Sequence, residues 1–137
     1  KNNDISDEDL ENTFERQIFN LANASRAKRG KDAFLWDDDI AKVAKDHSED
    51  MLENDYFSHT SLDGRSPFDR MKDDGISYSR AAENIAYGYT SGIDVHAGWM
   101  NSQGHRNNIL GECKRLGVGV KKEGYNTYYT QNFYTPR

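Results

Sequence analysis

The sequence predicts an α+β layered domain. Helical periodicity occupies the first two-thirds, with Leu10, Phe14, Ile18 and Leu21 on one face and Ile40, Val43, Ala44, His47 and Met51 on another. Period-two alternation follows, with Leu116, Val118 and Val120 set between Gly117, Gly119 and Lys121. A Tyr-, Thr- and Phe-rich stretch from Tyr125 to Tyr134 then supplies a returning strand, so helices come first and an antiparallel hairpin closes the chain.

The elements follow in order. Residues 1–9 form a polar lead whose Ser6-Asp7-Glu8-Asp9 resembles a capping box, and residues 10–137 form one domain. The first helix ends at Gly30. Phe34-Leu35-Trp36 leads into Asp37-Asp38-Asp39, whose carboxylates suit the start of a second helix ending near Asn54. Periodicity stops from Tyr56 to Arg65, which reads as a loop with a turn at Asp63-Gly64. Ser66-Pro67 then opens a short helix from Phe68 to Asp74, closed by Gly75. The apolar segment from Ala81 to Tyr89 reads as either strand or turn. A fourth helix, opened by Thr90 or Ser91, runs irregularly toward Leu110.

Composition narrows function. The 137 residues hold 18 Lys+Arg against 23 Asp+Glu, a net charge of −5, and the basic residues are scattered. A surface that follows a phosphate backbone needs clustered positive charge, so a nucleic-acid partner is not expected. No stretch approaches the ~20 apolar residues of a membrane span, and Lys1 opens no signal-peptide pattern; an opening without Met suggests a trimmed or mature chain. Cys113 is the single cysteine, so no internal disulfide forms, and a small buried thiol is its expected role. At this length one core forms without a cofactor.

Four histidines compete for attention. His47 lies on the apolar face of the second helix, and His96 stands three residues before Trp99, settings that packing explains. His59 falls in the loop and His105 after Gly104, at the end of the fourth helix, where irregular backbone presents functional groups. Glu83 sits in apolar Ala81-Ala82-Glu83-Asn84-Ile85-Ala86; if buried it needs a positive or proton-donating partner, which His59 or His105 could supply. No His-Glu-x-x-His, Gly-x-Ser-x-Gly or phosphate-loop pattern occurs. Asn23-Ala24-Ser25 fits a glycosylation sequon but lies within a helix, and Gly117-x-Gly119 reads as strand packing.

Several ordered segments resemble the CAP superfamily of cysteine-rich secretory proteins, insect antigen five and plant pathogenesis-related proteins. They are Asn23-Ala24-Ser25-Arg26 with Leu35-Trp36-Asp37, Phe57-Ser58-His59 with Asp63-Gly64-Arg65-Ser66-Pro67, Glu83-Asn84-Ile85, Trp99 to Arg106, and Leu116 to Val120 with Tyr128 to Phe133. The resemblance implies a three-layer α-β-α sandwich with an antiparallel sheet, whose cleft gathers two histidines and two acidic residues. Here His59, Glu83 and His105 match, while Ser102 stands where relatives carry a second glutamate. The lack of disulfides is similar to the compact bacterial branch, found secreted or at cell and spore surfaces.

Three functions follow as expectations. The first is an extracellular binding module for a small molecule, lipid or cell-wall ligand; the one cofactor its residues admit is a divalent metal such as zinc on His59 and His105. The second is a hydrolase with histidine as general base, Glu83 orienting it, and Ser102 or a metal-bound water as nucleophile. The third is a structural wall or spore-surface role. Binding is the leading expectation, because no oxyanion hole is readable in the sequence.

Overall fold

The computed structural model describes residues 5–137. The described elements are α1 (Asp7–Ala27), β1 (Leu35–Trp36), α2 (Asp38–Glu53), α3 (Pro67–Asp73), β2 (Tyr78–Tyr87), α4 (Gly92–Met100), α5 (Gln103–Ile109), β3 (Arg115–Glu123) and β4 (Asn126–Pro136). Lys1 to Asp4 of the polar lead lie outside the described residues. Helix starts follow local side-chain chemistry. Ser6 Oγ accepts from the Asp9 amide at 3.0 Å, Asp37 caps α2 through the Ile40 amide, and Ser66 with Asp69 forms a full capping box behind Pro67.

The sheet runs β1-β3-β4-β2 and is antiparallel except where the two-residue β1 pairs parallel with β3. Leu35 and Trp36, read from sequence as an approach to α2, form that edge strand because the Leu35 amide donates to Lys114 O at 3.0 Å and the Asp37 amide to Leu116 O at 3.2 Å. The ambiguous segment around Glu83 is β2, a ten-residue strand starting at Tyr78.

β3 shows why there are three layers. Leu116, Val118 and Val120 join Phe14, Ile18, Val95, Trp99 and Phe133 in the core beneath α1 and α4. Gly117 and Gly119 point the other way, where any Cβ would run into the backbone nitrogens of Ala41 and Lys45, so α2 packs directly on the strand. Smaller apolar clusters complete that second face, one of Ile40, Val43, Met71, Ile76 and Tyr134, another of Met51, Ile85 and Tyr128. The result is an α-β-α sandwich.

Beyond β1, the outer edge of β3 is sealed by side chains. The amides of Val120 and Lys122 donate to the Glu15 and Glu11 carboxylates at 2.9 and 2.8 Å, and Gly124 N lies 3.4 Å from Asp7. Lys45 Nζ bonds Glu11, Glu15 and Val120 O at 3.1, 3.0 and 2.6 Å. Four helical residues advance about 6 Å and two strand residues about 6.6–6.8 Å, so carboxylates at every fourth position of α1 match alternate amides of β3.

The fourth helix of the sequence reading is two helices. α4 stops at Met100, Ser102 adopts extended backbone (φ −112°, ψ 120°), and α5 begins at Gln103. His105 therefore sits in the first turn of a new helix rather than at the end of the old one.

Candidate functional site

Register places Glu83 of β2 directly opposite Asn132 of β4. Its carboxylate is almost completely enclosed, and both oxygens are engaged. Oε1 accepts from His59 Nδ1 at 2.8 Å, while Oε2 accepts from Arg70 Nη1 at 3.0 Å and Asn132 Nδ2 at 2.9 Å. Burial pushes its pKa upward, but the His59 hydrogen bond and the Arg70 guanidinium outweigh burial and hold it below the usual glutamate value. Glu83 is thus an ionised, fully partnered group, and the His59 nitrogen facing it carries the proton.

The loop that carries His59 is held by buried side chains on both sides of it. Arg70 Nη2 donates to the His59 carbonyl, and His47 Nε2 donates to the Ser58 carbonyl at 2.8 Å. A carbonyl only accepts, so neutral His47 carries its proton on Nε2. Burial lowers the His47 pKa. Gly64 at φ +92° makes the turn that returns the chain to Arg65, whose carbonyl accepts from the Ser61 amide.

His105 approaches from α5. Its Nδ1 lies 2.9 Å from Ser102 Oγ, three residues earlier, and its carbonyl accepts from Asn84 Nδ2 at 3.1 Å. Asn84 also bonds Gln131 and Asn108, and Asn108 donates to the Glu83 carbonyl at 3.3 Å, so amides tie α5 to the edge strand β2 and, through Asn84, to β4. Burial and then the neighbouring His59 lower the His105 pKa, which favours the neutral ring.

A groove of about 320 Å³ runs over Ser102 and His105 between the exposed rings of Phe57, Tyr87 and Tyr89, with Trp99 at its side. Trp99 is fixed by Nε1 donating to Ile85 O at 3.1 Å. The Phe57 and Tyr87 ring centroids lie 6.3 Å apart along the rim, and Tyr87 is backed at 4.7 Å by the buried Tyr128 ring.

Of the predicted site residues, His59 joins Glu83 and Ser102 joins His105 by direct hydrogen bonds, and the two pairs are linked through Asn84 and Asn108. The histidine partner of Glu83 is His59. Sequence reasoning missed Arg70, the cationic partner of Glu83, because an arginine on a short helix ordinarily faces water. It also missed Asn108, Gln131 and Asn132, whose only sequence signal is an amide-rich spacing on α5 and β4. His47 is core, and His96 is buried with Nε2 3.0 Å from Ser25 Oγ. The Asn23 amide is occupied by Phe34 backbone, and Cys113 is a buried thiol whose pKa burial raises. Among the described residues, no three or more His, Cys, Asp or Glu side chains are grouped to hold a metal ion, and no helix is long and apolar enough to cross a membrane.

A three-layer sandwich with a His-Glu pair braced by arginine and a second histidine lining an aromatic groove defines a cysteine-rich secretory type of domain. The family model described as CAP, the cysteine-rich secretory protein family, matches residues 19–133, and the chain belongs to that family. It is 44% identical over 133 residues to the uncharacterized membrane protein YlbC of Bacillus subtilis, covering 94% of this chain and 37% of that protein. It is 42% identical to YkwD of the same organism, over 88% of this chain and 46% of that protein. An extracellular protein containing a SCP domain from Bacillus anthracis superposes with a TM-score of 0.88 at 37% identity, over 98% of this chain and 45% of that one. The chain spans less than half the length of each of these relatives.

Proposed function

We propose that the chain is a binding module, extracellular or at a cell surface, whose groove receives a small ligand between its aromatic rim and the His105 imidazole, beside the His59–Glu83 pair. The observation that carries this reading is the state of Glu83. With three donors on its two oxygens and a pKa held low, it is positioned to orient His59 rather than to take a proton from a substrate. The extracellular location rests on the likeness to the Bacillus anthracis extracellular protein.

The metal-binding potential rests on two imidazoles, His105 lining the groove and His59 close enough to lower the His105 pKa. His59 is anchored through Nδ1 by Glu83, the carboxylate–histidine arrangement that orients metal ligands, and His105 is anchored through Nδ1 by Ser102. In each ring Nε2 is the nitrogen left for a ligand. Ser102 contributes no carboxylate, so this donor set fits an open divalent site completed by water and not a closed structural zinc centre. Zinc bound there would supply Lewis acidity. Zinc titration by calorimetry should show heat that His59→Ala or His105→Ala removes and Leu10→Ala preserves; no heat above dilution discards the metal part of the proposal.

One contact favours a second reading, hydrolysis: Ser102 Oγ and His105 Nδ1 stand 2.9 Å apart, a nucleophile–base distance. On this reading Ser102 Oγ attacks an acyl carbon while His105 takes its proton and passes it to the departing alcohol or amine, and water then releases the acyl group from Ser102. Turnover of ester and peptide panels that His105→Ala and Ser102→Ala both abolish supports it, and turnover surviving both substitutions rejects it.

A further inference from the structure

The groove also carries information about what it binds. Its side walls are aromatic. Phe57 and Tyr87 are each about half exposed, and Tyr89 lies across Gly98, where any Cβ would strike its ring. Its polar side-chain groups are Ser102, His105 and the hydroxyls of Tyr87 and Tyr89, and none of the residues lining it carries a full charge near neutral pH. The nearest buried carboxylate, Glu83, is neutralised by Arg70. A strongly anionic ligand finds no cation lining the groove, and a free cation finds no carboxylate there. An alkyl chain would cover the rings well but would strip water from the His105 and Ser102 polar atoms without replacing its hydrogen bonds.

A ligand with an apolar face and a hydroxylated edge meets both demands. Ring C–H groups can lie on Phe57 and Tyr87, while hydroxyls bond His105 Nε2 and the tyrosine hydroxyls. The pocket, at about 320 Å³, sits at the small end of the ~300–1,000 Å³ range for ligand sites, enough for one compact ring with neighbours lying outside along the rim. We infer that the ligand of this cleft is an uncharged saccharide, stacked on the Phe57–Tyr87 row with a hydroxyl edge turned to His105. This inference rests on the binding-module reading.

The test is a titration of the full chain followed by amide and imidazole NMR, using four separate probes: cellotetraose and tetra-N-acetylchitotetraose as neutral sugars, a heparin tetrasaccharide as an anionic sugar, and palmitate as an alkyl chain. A neutral sugar should shift the Tyr87, Tyr89 and His105 resonances. Phe57→Ala and Tyr87→Ala should each weaken binding about tenfold, and Leu35→Ala, at an exposed residue of β1 on the sheet edge opposite β2, should leave it unchanged. Both rim residues are exposed, so their removal leaves the core intact. Cleft shifts from palmitate or heparin alone overturn the saccharide assignment and leave the binding module standing. Silence from all four probes overturns both.

Discussion

At the scale of single residues, Glu83 and Arg70 decide whether the cleft exists. Each is nearly inaccessible to solvent, and each would be an uncompensated charge without the other. Removing one partner of such a pair typically costs about 3–5 kcal/mol. Arg70→Ala should therefore lower stability by roughly that amount in urea unfolding, and should release His59, whose carbonyl Arg70 also holds. Arg70→Lys keeps the charge but offers no planar fork to span Glu83 and the His59 carbonyl together, so it should recover only part of the loss. The chemistry of Glu83 was readable in advance because a carboxylate in an alanine-rich setting must find partners. Its partner His59 was one of two histidines the sequence offered, while Arg70 was hidden, because its burial arises from α3 folding over β2, a contact without local sequence signature. The Ser102–His105 pair was half legible: a spacing of three allowed it, but only the break after Met100 begins a fresh helical turn that brings the two side chains together.

At the scale of elements, helix starts were the most legible part of the fold, because a cap depends on residues three apart and little else. The edge strand β1 and the helix break before α5 were hidden, since both are imposed by pairing and packing with distant segments. The same is true of the seal along β3, where Asp7, Glu11 and Glu15 look in sequence like an ordinary acidic face of an exposed helix. In the structure Glu11 is buried and replaces the neighbouring strand that β3 lacks there. Glu11→Ala leaves the Lys122 amide without its acceptor and should cost about 1–3 kcal/mol. Glu11→Gln retains an acceptor oxygen and should cost less. Hydrogen exchange reads this directly: the Lys122 amide should lose protection in the alanine variant and keep most of it in the glutamine variant. Equal protection in both would mean that α1 shields the edge by coverage alone. Gly119 supplies a complementary check on the opposite face. Gly119→Ala forces a Cβ against Lys45 backbone and should destabilise by about 1–3 kcal/mol or more, as overpacking does.

At the scale of the whole molecule, the apolar clusters meet on one sheet, so ionisation at separated points acts on a shared stability. His47 and His96 are buried in different layers, and burial lowers the pKa of each below the ordinary 6.5. Unfolding exposes both, so the unfolded chain takes up protons first as the solution is acidified. The stability favoured by their neutral forms is fully present above about pH 6.5 and is lost as pH falls toward the folded values. Glu83 works in a lower window and in the same direction. Its folded pKa lies below the ordinary 4.5, so its contribution is complete above that pH and disappears as pH falls through the folded value. Urea unfolding across pH 8 to 3 should show a plateau above about pH 6.5 and a first decline below it, with each fully differential imidazole adding up to about 1.4 kcal/mol per pH unit. A second, steeper decline should follow below about pH 4.5. Replacing His47 and His96 together by Gln should reduce the first decline to the share of His105, whose pKa burial also lowers, and leave the second. If the double variant retains the full slope between pH 6.5 and 5, the acid sensitivity resides elsewhere, and the two histidines do not couple protonation to folding.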